Sequence, residues 1–112
     1  MAALRRKSLS LSELFIRLVD ERLPGFGLAT PRQPELRGSQ VSLTHEQGYA
    51  IVQALIARGI IGDFRAPDIL RFGFAALYVR HVDIWDAVAA LQDIMATREW
   101  ARPEFMAQKA VT

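Results

Sequence analysis

Residues 60–78 read IIGDFRAPDILRFGFAALY. Two short apolar runs, residues 60–64 and 69–74, meet at Pro67-Asp68, a pair that continues neither a helix nor a sheet ladder easily. The stretch therefore predicts strand, turn, strand. In the second run a period of two puts Leu70, Phe72 and Phe74 on one face and Ile69, Arg71 and Gly73 on the other. A guanidinium thus stands in the middle of a strong strand, where leaving it buried and unpaired is costly. Arg71 has to meet water, Asp63 or Asp68, or an anionic ligand, and Gly73 leaves space beside it on the same face.

The flanking segments supply helices for such a strand pair to pack against. Upstream, Thr44 begins T-H-E-Q, in which Thr44 and Gln47 suit a capping box for a helix over residues 45–58, and Gly59 suits the left-handed residue that closes it. Tyr49, Val52, Leu55 and Ile56 form its expected buried stripe. Before it, residues 37–44 (RGSQVSLT) alternate, with Val41 and Leu43 inward and Gln40, Ser42 and Thr44 outward. Residues 1–23 carry Leu4, Leu11, Leu14, Phe15, Leu18 and Val19 at helical spacing and stop at Pro24-Gly25. A short extended run over 28–30 and a polar connection over 31–36 follow. Arg5, Arg6 and Lys7 lie near the start of the first helix, where the helix dipole disfavours cations, so either its first turn frays or more chain precedes it. Downstream, a helix over 82–100 is expected to bury Trp85, Val88, Leu91 and Met95.

The resulting order is α-β-β-α-β-β-α, an α+β fold in which a small, mainly antiparallel sheet is covered by helices. Residues 1–103 are read as one domain, with order ending at Arg102-Pro103 and residues 104–112 as a disordered tail. A chain of 112 residues, 51% hydrophobic and 23% charged, fits a single globular domain. A net charge of +2 is weak support for nucleic-acid binding. The chain has no cysteine, which excludes disulfides, thiolate metal sites and cysteine nucleophiles. No apolar run reaches the length of a membrane span, and the N-terminus has no h-region. The expectation is a cytoplasmic protein without membrane or nucleic-acid partners.

Catalytic candidates are few. His45 and His81 lack metal-ligand spacing and lie at predicted helix starts, so capping or surface roles are preferred. Ser39 and Ser42 lie in a strand without a nucleophile elbow. Gly25 and Gly27 do not complete a phosphate loop. Asp83 and Asp86, one turn apart at a helix start, read as caps ahead of paired acid/base groups. Lys7 and Lys109 are the only lysines, and neither lies in an apolar run that would prepare an amine for Schiff-base chemistry. No catalytic, metal-ligating or cofactor-binding residue is assigned.

The run RGSQVSLTHEQGYAIVQALIARGIIGDFRAPDILRFGFAALY, with VDIWDAVAALQDIM and REWARPEF after it, resembles the C-terminal part of bacterial kynureninases. These are pyridoxal 5'-phosphate enzymes of the aspartate aminotransferase fold. The resemblance runs from about Leu4 to Phe105, and RGSQ, GDFRAP and RFGF are its most specific pieces. It implies a homodimeric hydrolase that cleaves L-kynurenine to anthranilate and L-alanine in tryptophan breakdown. It also implies that the large domain, with the cofactor's lysine and phosphate-binding residues, is not in this chain. Residues 1–23 would be the helix leading out of that domain, and the chain alone would be inactive. Arg71, in ILRFGF, matches the small-domain arginine that holds the substrate's α-carboxylate. Ala76 departs from the proline expected ahead of Leu77-Tyr78. A stand-alone interaction or regulatory domain without catalysis is the alternative reading, and a nucleic-acid module resting on Arg5, Arg6 and Lys7 is a third.

Overall fold

A computed structural model of the chain describes residues 2–30, 40–60, 62–73 and 79–106. Helix α1 (Ala2–Arg22) is followed by strands β1 (Gly27–Leu28) and β2 (Gln40–Thr44), then helix α2 (Gly48–Ala57). Strands β3 (Asp63–Arg65) and β4 (Ile69–Gly73) form the expected strand-turn-strand unit, and helix α3 (His81–Thr97) follows. The four strands lie in the order β1-β2-β4-β3, each pair antiparallel. This is the expected α+β arrangement. Phe74, Ala76 and the rest of 74–78 lie outside the described residues, as do 31–39, where Ser39 and the polar connection fall, and 107–112 with Lys109.

Alternation decides which sheet face meets the helices. Val41 and Leu43 on β2 and Leu70 and Phe72 on β4 are buried, and they join Leu11, Phe15, Leu18, Ile51, Leu55, Val88 and Leu91 in one core. Phe15 of α1 sets its ring 5.2 Å from that of Phe72, tying the first helix to the central strand. Each fully buried side chain of this size contributes about 1.5–3 kcal/mol. At the sheet's end Gly27 pairs with Thr44. A Cβ on Gly27 would collide with the Thr44 hydroxyl, so a larger residue there needs that side chain to turn aside.

The structure departs from the periodicity in four places. Strand β1 is Gly27–Leu28 rather than 28–30: Gly27 already pairs with Thr44, and beyond Leu28 Ala29 N–H still donates to Ser42 O at 2.8 Å while Ser42 N–H turns to a side chain, Thr30 Oγ1, at 2.6 Å. Helix α2 begins at Gly48, not His45. The Thr44 box does not form; His45 N–H donates to Asp68 O, and Gln47 N–H donates to His45 Nδ1 at 2.9 Å. The imidazole caps the turn from inside, which engages residues 45–47 before the helix can start.

The buried faces of α2 and α3 are also shifted. Ala50, Ile51, Val52, Ala54 and Leu55 are buried on α2, while Ile56 is 49% exposed and Tyr49 is half-buried, edge-on to Phe64. On α3 the buried residues are Ile84, Val88, Leu91 and Ile94, and Trp85 is 42% exposed with the Arg22 guanidinium 4.8 Å above its ring. An aromatic ring and its cationic neighbour satisfy each other at the surface, leaving the narrower aliphatic residues to fill the core. Finally, order does not end at Arg102-Pro103. A short 3-10 turn, Glu99–Ala101, leads to a helical turn α4 (Pro103–Met106), whose Phe105 packs on the core. Arg58, just beyond α2, bonds Asp93 at 2.6 Å and Glu99 at 2.6 Å, holding the end of α3 against α2. Gly59 follows with φ +83°, the left-handed residue expected there.

Candidate functional site

Arg71 sits at the centre of β4, between Ser42 on β2 and Asp63 on β3, each directly opposite it in the ladder. Its side chain is 27% exposed and that of Asp63 is 58% exposed. Of the two carboxylates open to Arg71 in the sequence, the structure pairs it with Asp63, whose Oδ2 accepts a hydrogen bond from Nη2. Asp68 instead uses its backbone carbonyl to receive His45 N–H. Arg71 Nε is buried and has no hydrogen-bond partner among the described residues. A guanidinium carries five donors in a planar fork, so one ion pair leaves much of its capacity unused. The Arg71 hydrogen bond holds the Asp63 carboxyl below the usual carboxylate range, with burial opposing it.

Arg71 and Asp63 line a cleft of about 700 Å³ between the end of β4 and the first turns of α3. Gln40, Asp83 and Asp86 also reach it, and Phe72 and Ile84 form part of its apolar wall. A Cβ built on Gly73 meets nothing within 4 Å, so the space expected beside Arg71 is there. Asp83 is a cap, as expected: its carboxylate accepts from Arg80 N–H at 2.8 Å. That bond, aided by the Arg80 side chain, lowers its pKa below the ordinary value. That Asp83 and Asp86 share a cleft with Arg71 was not read from the sequence. The signal was present, as two carboxylates one turn apart at the start of the helix that follows the arginine's strand.

The other candidates lie apart. His45 packs its ring 4.8 Å from that of Phe26, and burial pushes its imidazole below the usual value, with Glu46 opposing. His81 shares a 2.9 Å hydrogen bond with Ser10 Oγ at the surface. Ser42 is in the ladder beside Arg71, and its own N–H is taken by Thr30. Among the described residues no group of three or more His, Asp or Glu side chains could hold a metal ion, and no helix is long and apolar enough to cross a membrane.

Residues 4–91 match the family model described as "Kynureninase C-terminal domain". The chain is 55% identical over its full length to a kynureninase of Burkholderia mallei strain SAVP1 and to one of Burkholderia pseudomallei strain K96243. It is 50% identical, also over its full length, to a kynureninase of Pseudomonas fluorescens. In each case it spans 27% of the relative's length. Among solved structures, a NifS-like protein superposes with a TM-score of 0.75 at 14% identity, covering 86% of this chain and 29% of that one. That likeness is one of fold, and it covers a similar minor share of a longer polypeptide. On the family model and the full-length identities together, the chain belongs to the kynureninase C-terminal domain family.

Proposed function

We propose that this chain is the C-terminal portion of a kynureninase, a cytoplasmic, homodimeric, pyridoxal 5'-phosphate-dependent hydrolase that cleaves L-kynurenine to anthranilate and L-alanine. Its contribution is Arg71, which binds the substrate's α-carboxylate. The observation that carries this reading is the state of the Arg71 side chain: fixed in a central strand at the wall of a cleft, paired on Nη2 and with a buried Nε that lacks an acceptor among the described residues. A planar fork of donors matches a carboxylate, and a charge-assisted pair there is stronger than a neutral hydrogen bond.

The described residues do not fit the role of cofactor site. Among the described residues, no lysine, serine or threonine lines the cleft that holds Arg71. Lys7, on α1, is not among the lining residues, and its charge acts on Asp83 at the cleft's edge. The lysine and phosphate contacts of the cofactor are therefore assigned to the remaining length seen in the relatives, from which α1 would lead into this domain. When bound there, the cofactor would supply the electron sink for the bond cleavage, while this chain orients the substrate through its carboxylate.

The test is anthranilate release from L-kynurenine by two polypeptides: the 112-residue chain, and a polypeptide in which it follows the remaining family length. Anthranilate is expected only from the second, with cofactor added. Release by the chain alone, or a borohydride-reducible cofactor adduct on its Lys7 or Lys109, contradicts the assignment.

A further inference from the structure

We propose that Asp63 is a positioning residue for Arg71: from the neighbouring strand its carboxylate takes Nη2 and turns the remaining N–H groups toward the cleft, where the substrate carboxylate binds. This rests on the carboxylate-binding reading of Arg71.

The ladder makes the pairing. Asp63 and Arg71 occupy one rung, so their Cβ atoms leave the sheet side by side on the same face. A long arginine side chain on a strand otherwise samples many rotamers, and the freedom it loses on binding a ligand weakens that binding. Anchoring one nitrogen removes part of that loss in advance. Asp63 is suited to the task because it is on an edge strand and more than half exposed, so keeping it ionised costs little desolvation. The Arg71 hydrogen bond, which lowers the pKa of its carboxyl, favours the anion further.

No other described carboxylate does this work. Asp83, across the cleft, is engaged with Arg80. Asp86 lines the cleft without bonding Arg71. The pairing is also incomplete in a way that suits a second acceptor. Asp63 occupies Nη2 only, and the buried Nε donor remains without a partner among the described residues. The competing explanation is that the pair merely staples β3 to β4, which would make it indifferent to the substrate's carboxylate.

The two are separated by steady-state kinetics on the full-length polypeptide ending in this chain. The variants are Asp63→Ala, Asp63→Asn and Arg71→Lys, with the double variant D63A/R71K. The substrates are L-kynurenine and an analogue lacking the α-carboxylate. Asp63→Ala is expected to lower kcat/KM for L-kynurenine about 10- to 100-fold, mainly through KM, with Asp63→Asn losing less because it keeps an acceptor. Neither substitution should alter the analogue's kcat/KM, and in the Arg71→Lys background Asp63→Ala should add less than about twofold. Equal losses on both substrates, or multiplicative losses in the double variant, overturn the positioning role. If Arg71→Lys lowers kcat/KM for L-kynurenine while neither Asp63 variant does, the Asp63 role alone falls. If Arg71→Lys leaves kcat/KM unchanged, the carboxylate reading itself falls, and the Asp63 proposal with it. Should Asp63→Ala fail to fold, the near-isosteric Asp63→Asn decides on the same criteria.

Discussion

Asp63 and Arg71 face each other across the β3–β4 ladder, and the hydrogen bond from Arg71 Nη2 to Asp63 Oδ2 ties the edge strand to the centre of the sheet. The same contact orders a cation at a cleft and links the sheet's stability to acid. The Asp63 carboxyl is depressed in the folded chain, so the unfolded state takes up its proton first as pH falls.

The stabilisation from this pair is accordingly present above the ordinary carboxylate range, about pH 4, and is lost as pH drops below it. Asp63→Asn should lower the urea midpoint at pH 6 and lose most of that difference at pH 3. A difference that persists undiminished at pH 3 would show that the ion pair is not its source.

His45 provides a second pH dependence at a higher pH. Its Nδ1 accepts Gln47 N–H, which requires a neutral ring, and burial lowers its affinity for protons. Stability should therefore be full above the unfolded histidine's value, about pH 6.5, and decline as pH falls through the lower folded value. Replacing His45 with Asn retains an acceptor and removes the titration. Between pH 7.5 and 5.5 the wild-type urea midpoint should fall while that of His45→Asn stays level; parallel curves would exclude the imidazole.

The shifted face of α3 predicts opposite outcomes for two large side chains. Leu91 is fully buried, so Leu91→Ala should cost about 2–5 kcal/mol. Trp85→Ala removes a surface contact with Arg22 and should cost about 0.5–1 kcal/mol. Chemical denaturation of both variants checks the ranking, and a larger loss for Trp85 would restore the face expected from periodicity.

Close packing at the start of α2 makes Gly48 intolerant of a methyl group. A Cβ there would lie 3.0 Å from Leu70 Cδ1 and 3.2 Å from Phe64 Cε1. Crowding of this kind costs about 1–3 kcal/mol and outweighs the helix-propensity gain of about 0.5–1 kcal/mol. Gly48→Ala should lower Tm. Gly73→Ala, whose Cβ meets nothing within 4 Å, should leave Tm nearly unchanged.

Period-two alternation in 69–73 and 40–44 marked the sheet's inner face correctly because a strand buried on one side has only two faces to choose between. A helix offers a continuous range of faces. For α3 the choice between Trp85 and Ile84 as the core residue turned on Arg22, which lies 63 positions away and covers the ring. The start of α2 was misread for a similar reason: the imidazole of His45 supplied the acceptor that the sequence pattern gave to Thr44. Arg71 was legible because a guanidinium within an apolar strand needs a partner. Its choice of Asp63 over Asp68 was not, since that depends on strand register. The cleft's Asp83 and Asp86 depend on how α3 returns across the sheet, which spacing along the chain does not encode.

The central claim, that Arg71 binds the substrate's α-carboxylate, is tested most directly by kcat/KM of Arg71→Lys in the full-length polypeptide. Lysine keeps the charge and loses the two-pronged geometry. With L-kynurenine the loss should be about 2–4 kcal/mol in transition-state stabilisation, and the analogue without the carboxylate should react poorly with the wild type and be almost indifferent to the substitution. An unchanged kcat/KM for L-kynurenine, with the isolated 112-residue Arg71→Lys chain unfolded, would contradict the claim and leave Arg71 as the structural partner of Asp63.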